Sequence, residues 1–280
     1  MDHLLKQPNP YVGPTSATTN NTVLDSNVWG NLTFNDLKQD AEKVLEVLIQ
    51  QPEVDANKIT VLGASEGTVV TPRVAIDNPD KINNIVLMGA LAGNLHEILH
   101  LQVVGTPLLY AQKVLDHNHN GLLSVQEASK NPVFSTWTGN LTLFLTQYNT
   151  VTTNGSTTPI QQLHPEYNTD NDTFISINDE LKPRLVEMFE SLSDMTPSKE
   201  CTNIFACPIW LRSQYALEPN LNIIGKVPSD TNILILQGEN DTNTPIQQAF
   251  LLQQRLTEVN HPDHTLKTYP NLGHVFYPSS

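Results

Sequence analysis

Lys58-Ile59-Thr60-Val61-Leu62-Gly63-Ala64-Ser65-Glu66-Gly67-Thr68-Val69-Val70 is the stretch that decides how the remaining residues are read. A short run of β-branched and apolar residues ends in Gly-x-Ser-x-Gly and continues with helical character, which predicts a strand, a sharp turn and a helix. A serine held in such a turn projects beyond the strand end and can act as a nucleophile, so Ser65 is the candidate. The turn crowds the backbone, and on this reading Gly63 and Gly67 are both needed as small residues. Alone, the pentapeptide also fits a glycine-flanked serine in an ordinary loop, because short patterns recur by chance.

The C-terminal third supplies context. Thr231 to Gly238 reads as a buried parallel strand, and Glu239-Asn240-Asp241 follows its carboxyl end, where open α/β sheets place functional groups. Asp241 is the acid candidate. A second strand, His264 to Tyr269, runs into Pro270-Asn271-Leu272-Gly273-His274, a loop that could hold the His274 imidazole above the sheet as the base. Glu239 is an alternative acid and His261 or His264 an alternative base, although neither histidine follows a strand end. The order serine, aspartate, histidine, each after its own strand, resembles the α/β-hydrolase fold superfamily, of the esterase and serine-peptidase type with an inserted cap. The resemblance covers Asn31 to about Ala92 and about Pro228 to the end. Many relatives carry histidine before the nucleophile, where this chain has Ala64.

The resemblance implies a partial α/β-hydrolase: a mostly parallel sheet flanked by helices, with a mainly helical cap. The predicted organisation is an irregular segment over 1–30, a core over 31–92 and 228–280, and a cap over 93–227. Ser65 comes too early for the strands that usually precede the elbow, and no His-Gly-Gly-Gly-like stretch lies upstream of it. The chain therefore reads as N-terminally shortened relative to the family. One oxyanion donor, the Glu66 amide, is in place, and the elbow strand is expected to present a bare edge that favours pairing with a second copy.

Within the core, Leu37, Ala41, Val44, Leu45 and Leu48 recur at helical spacing after Thr33, and Pro72 is expected to kink or shorten the helix after Ser65. Thr244-Pro245-Ile246-Gln247 reads as a capped helix start. In the cap, helical patterns are read at 95–104, 108–115, 132–148, 175–192 and 208–217, with a polar, mobile loop over 149–171.

Asp116-His117-Asn118-His119-Asn120-Gly121-Leu122-Leu123-Ser124-Val125-Gln126-Glu127 fits the EF-hand loop pattern at every position. Calcium would be held by Asp116, Asn118, Asn120, the Leu122 carbonyl, Ser124 and Glu127, in a structural rather than chemical role. A metal-free, asparagine-capped loop is the plain alternative. Zinc on His117 and His119 is disfavoured, because those positions alternate with the inward ligands. With two carboxylates the site should be weak, which suits a calcium-rich exterior.

Composition bounds the partners. Fifteen Lys and Arg against 29 Asp and Glu give a net charge of −14, which repels nucleic acid and anionic lipid. No apolar run approaches the ~20 residues of a membrane span. Cys201 and Cys207 could close a small disulfide ring or stay as two buried thiols; with sequons at Asn20, Asn31, Asn140, Asn154 and Asn171, they lean weakly towards an exported protein. The expected activity is a serine hydrolase cleaving a small carboxylic ester through an acyl-enzyme. Aminopeptidase or thioesterase chemistry, or a non-catalytic calcium-binding fragment, are the alternatives.

Overall fold

The computed structural model describes residues 30–130, 134–135, 142–143, 145–153, 156–194, 207–274 and 276. Backbone contacts divide the chain into two compact units, residues 1–98 with 195–280, and residues 99–194.

In the first unit, α1 (Phe34–Leu48) starts at a reciprocal cap: the Thr33 hydroxyl accepts the Asp36 amide, and the Asp36 carboxylate accepts the Thr33 amide at 2.8 Å. Phe34 and Leu45 are buried and Leu37 and Ala41 pack on the same core, whereas Val44 and Leu48, read into the same stripe, are exposed. Four parallel strands follow in the spatial order of the chain: β1 (Thr60–Ala64), β2 (Asn84–Met88), β3 (Asn232–Gly238) and β4 (His264–Tyr269). Ile85, Leu87, Ile233 and Ile235 are fully or almost fully buried at alternating positions, as a strand period of two requires. Among the described residues β1 pairs only with β2, and Leu62 on it is 59% exposed.

The helix after Ser65, α2 (Gly67–Asp77), runs through Pro72 without being shortened. Proline removes the donor for the Thr68 carbonyl four residues earlier. A buried side chain replaces it: Asn220 Nδ2 donates to the Thr68 carbonyl at 3.0 Å and to the Leu91 carbonyl at 2.7 Å, while Asn220 Oδ1 accepts from the Arg73 guanidinium at 2.7 Å. One asparagine thus ties α2 to the chain after β2. Two further helices of this unit are α3 (Pro208–Tyr215), whose Ser213 hydroxyl accepts the Phe34 amide, and α4 (Ile246–Glu258).

The second unit differs from a mainly helical cap. Helical turns cover Leu101–Leu115, Val125–Ala128 and Ile177–Asp194, but residues 146–163, read as the end of a helix and a mobile loop, form an antiparallel hairpin of Thr146–Thr153 with Ser156–Leu163. The missed signal is Asn154-Gly155 between two threonine-rich runs, the dipeptide suited to a two-residue hairpin connection. Phe134–Ser135 and Thr142–Leu143 pair as short strands where helix was expected. A two-stranded ribbon, Leu122–Ser124 against Phe174–Ser176, buries Leu123 opposite Ile175. Around it lie Leu115, Ile177, Leu181 and Leu185, all buried. Cys201 and its expected pairing lie outside the described residues; Cys207 is buried at the start of α3.

Replacing Asn220 by alanine strips donors from two carbonyls and an acceptor from Arg73. At about 1–3 kcal/mol for each buried group left unsatisfied, Asn220→Ala is expected to lower the unfolding free energy by roughly 3 kcal/mol in urea titration. A loss under about 1 kcal/mol would show that Pro72 needs no substitute donor.

Candidate active site

Ser65 follows β1 with φ 51°, in the left-handed region that residues other than glycine, asparagine and aspartate rarely occupy. Local bonds hold it there: its amide donates to the Met88 carbonyl at the end of β2 at 2.8 Å, and its own carbonyl accepts the Thr68 hydroxyl at 2.7 Å. Gly63 is required, because a Cβ there would lie 2.3 Å from the Gly67 carbonyl oxygen and 2.4 Å from the Thr71 hydroxyl. Gly67 is not: a Cβ at that position would meet nothing within 4 Å. The backbone of residue 67 crowds the elbow, and its missing side chain does not relieve that crowding.

Asp241 and His274 are joined, His274 Nδ1 lying 2.9 Å from Asp241 Oδ2 with both side chains almost fully buried. The carboxylate also accepts the Asn243 and Thr244 amides, the Thr244 hydroxyl at 2.7 Å and Gln237 Nε2 at 3.0 Å. Burial pushes its pKa up, but the bonds from His274 and from the Thr244 amide and hydroxyl outweigh that and hold it below the usual range. An ionised carboxylate only accepts, so Nδ1 carries the proton and Nε2 is left as the basic nitrogen. The histidine loop reaches this position by passing over Gly238, where a Cβ would stand 2.4 Å from the Leu272 carbonyl oxygen. Asn240 and Glu239 donate backbone bonds to Leu272 and Tyr269, stitching the two loops together.

The His274 ring lies against Gly89, whose Cβ position is 3.2 Å from the ring's Cε1. Ser65 is bonded through its amide to Met88, the last residue of β2, and the His274 ring lies beside the next residue, Gly89. The alternatives sit elsewhere: Glu239 accepts the Thr268 hydroxyl, His261 Nε2 lies against the Pro228 carbonyl, and His264 bonds the His261 carbonyl and Thr257.

Several residues at the site were not legible in the sequence. Thr244, read as a helix cap, bonds Asp241 instead; α4 begins after Pro245 without a side-chain cap. Gln237, fully buried, bonds Asp241 and the Thr244 carbonyl with its nitrogen and accepts the Ala90 amide with its oxygen. Gln248 accepts the Ala92 and Gly93 amides. The Glu66 side chain accepts from the buried Gln214 amide at 2.7 Å, and burial raises its pKa to about 7 against the opposing pull of the Trp210 indole.

In the second unit, Asp116 and Glu127 are buried at the two ends of their loop. The Asp116 carboxylate accepts the Asn120 and Gly121 amides; Glu127 accepts the His117 amide, the Asn118 side-chain amide and both the amide and hydroxyl of Ser124. Gly121 takes φ 80° at the sharp turn, and His117 and His119 are exposed.

A strand, a strained serine turn and a helix beside a parallel sheet, with Asp241 after β3 and His274 after β4, give an α/β-hydrolase-like fold. The family model described as the prolyl oligopeptidase family matches residues 191–280, the part that carries Asp241 and His274. Similar solved structures include dipeptidyl peptidase 4 of Porphyromonas gingivalis, at 11% identity over 86% of this chain and 20% of that one, with a TM-score of 0.40. Others are the monoacylglycerol lipase of Paleococcus ferrophilus (15% identity, 88% and 68% covered, TM-score 0.36) and a structure from work on carboxylesterases of Nitrososphaera gargenis (14%, 88% and 66%, 0.40). The chain spans about a fifth of the length of the peptidase. A comparison with curated proteins gives no match.

Two outcomes follow from this geometry. Gly63→Ala should lose the fold or most of its stability, whereas Gly67→Ala should change the melting temperature little; equal damage from both would contradict the clearances at the elbow. Glu66 has its pKa raised on folding, so its stabilisation is full below the unfolded value of 4.5 and is lost as pH rises through about 7. At ~1.4 kcal/mol per pKa unit, the stability of the parent chain should fall by roughly 2–3 kcal/mol more than that of Glu66→Gln between pH 4.5 and 8. Parallel pH profiles would remove Glu66 as the source.

Proposed function

We propose that this chain is a serine hydrolase that cleaves a carboxylic ester through an acyl-enzyme. The observation that carries the reading is the convergence on the end of β2: Ser65 in its strained turn is bonded to Met88, and His274, fixed by Asp241, lies against Gly89. His274 Nε2 takes the Ser65 proton as Oγ attacks the acyl carbon, and returns it to the departing alkoxide. Water then attacks the acyl-enzyme, gives its proton to the same nitrogen, and releases the acid with Ser65 restored. Asp241 holds the tautomer and balances the imidazolium charge. The Glu66 amide, at the start of α2, supports the oxyanion, where one donor is typically worth ~10²–10³ in turnover.

A second reading, peptide hydrolysis, is favoured by the prolyl oligopeptidase match over residues 191–280. An amine leaves only after protonation and an ester does not need it, so the two substrates load His274 differently. A fluorophosphonate probe is expected to label Ser65, with no labelling in Ser65→Ala and at least 100-fold slower labelling in His274→Ala. Turnover of p-nitrophenyl butyrate without turnover of dipeptidyl p-nitroanilides assigns the ester reading; the reverse assigns the peptidase. No labelling by the probe would leave a non-catalytic chain.

We also propose that the loop from Asp116 to Glu127 binds calcium as a structural brace, through Asp116, Asn118, Asn120, the Leu122 carbonyl, Ser124 and Glu127. The inward placement of both carboxylates and the sharp turn at Gly121 support this.

A further inference from the structure

The ribbon of Leu122–Ser124 with Phe174–Ser176 joins a second loop, residues 168–180, to the first, and several of the first loop's hydrogen bonds recur in it. Asn118 Oδ1 accepts the Asn120 amide, and Asp170 Oδ1 accepts the Asp172 amide. Asn120 Oδ1 accepts the Leu122 amide, and Asp172 Oδ1 the Phe174 amide. Glu127 accepts the His117 and Ser124 amides, one on each oxygen; Glu180 accepts the Thr169 and Ser176 amides in the same way. Even the backbone matches, with φ 57° at His119 and 58° at Asn171.

The equivalence runs at a constant sequence offset up to Ser124 and Ser176, then slips by one residue at the glutamates. The slip is absorbed by Ile177–Leu181, a wide turn that closes i to i+5 and so accommodates an extra residue. That slip, together with Thr173 in place of the glycine at Gly121, hides the loop from the EF-hand pattern.

By this alignment Asn168 stands where Asp116 does. Its side chain is 7% exposed and turned into the loop, Nδ2 donating to the Asp172 carbonyl at 2.9 Å, while its Oδ1 is buried without a hydrogen-bond partner. A buried amide oxygen lacking a donor is an energetic fault unless something else coordinates it. Among the described residues no group of three or more His, Cys, Asp and Glu is gathered as a metal site; here the Asp170, Asp172 and Glu180 carboxylates are turned to backbone amides, and calcium, which accepts carboxylate, amide, hydroxyl and backbone oxygens, would draw them together.

We propose that residues 168–180 form a second calcium site, with ligands from Asn168, Asp170, Asp172, the Phe174 carbonyl, Ser176 and Glu180. It is a site separate from the catalytic reading above, and it does not require the first loop to be loaded. It offers three carboxylates against the first loop's two, so on charge count it is the tighter of the pair.

The test is calcium titration of the chelator-treated full chain, with terbium luminescence as a second readout. Two ions per chain are expected. Glu180→Gln should remove one and weaken it at least ten-fold, and Glu127→Gln should remove the other. Tyr167, buried next to Asn168, should sensitise terbium in the second loop, so Tyr167→Phe should abolish most emission while leaving the calcium stoichiometry at two, a readout that needs no ligand substitution. A single ion lost in Glu127→Gln and kept in Glu180→Gln would overturn the second site alone. A single ion with the opposite pattern would overturn the first loop and keep the second. No calcium binding at millimolar concentration would overturn both.

Discussion

The left-handed backbone of Ser65 is the constraint on which the first unit depends. Sparsely populated backbone of this kind costs about 1–3 kcal/mol and persists only when its surroundings over-determine it. Here they do so from three directions. Gly63 clears room below the turn, β2 supplies the acceptor for the Ser65 amide, and the Thr68 and Thr71 hydroxyls tie the first turn of α2 to the Ser65 and Gly67 carbonyls. Because Pro72 removes a backbone donor from this same helix, Asn220 must restore it, and residues far apart in sequence become part of one elbow.

Buried amides recur in the same capacity. Gln237, Asn220, Gln214 and Gln248 each present a carboxamide to groups at the ends of β1, β2 and β3. A carboxamide can donate and accept at once, so one such residue joins two loops without adding charge to a low-dielectric site. The buried charge on Asp241 is matched by five donors, and this lets it hold His274 as an ionised carboxylate.

How much of this the amino-acid sequence discloses depends on whether the determining contacts are local. Strands at 60–64, 84–88 and 232–238 were legible because runs of Ile, Val and Leu are long enough to carry a period, and that at 264–269 from its β-favouring threonines and tyrosine. The positions of Asp241 and His274 were legible because each lies in the loop that follows such a strand. Gly67 was misjudged because the sequence shows that residue 67 is near the crowding without showing which atom crowds. The 146–163 hairpin was hidden by its own polarity, since Thr150, Thr152, Thr157 and Thr158 are exposed and its two strands leave no apolar alternation to read. The loop at 168–180 was hidden by one inserted residue, which only a hydrogen-bond pattern can realign.

Glu66 stands in opposite relation to acid from the buried carboxylates of the second unit. Glu66 in the first is held in a site that favours its neutral form, because burial strips solvent from the carboxylate and the Trp210 indole and Gln214 amide restore only part of what is lost. Glu127 and Glu180 in the second are desolvated too, yet the amides and hydroxyls of Ser124, His117, Ser176, Thr169 and Asp170 outweigh that and hold both below the ordinary carboxylate range. Depressed groups contribute stability that is present above the unfolded pKa and lost as pH falls through the folded one, the reverse of Glu66. Acid therefore removes what Glu127, Glu180 and, in the first unit, Asp241 contribute, while it keeps the contribution of Glu66. The difference lies in the donors: the amides of a loop can solvate a charge, whereas at Glu66 desolvation outweighs the donors that reach the carboxylate.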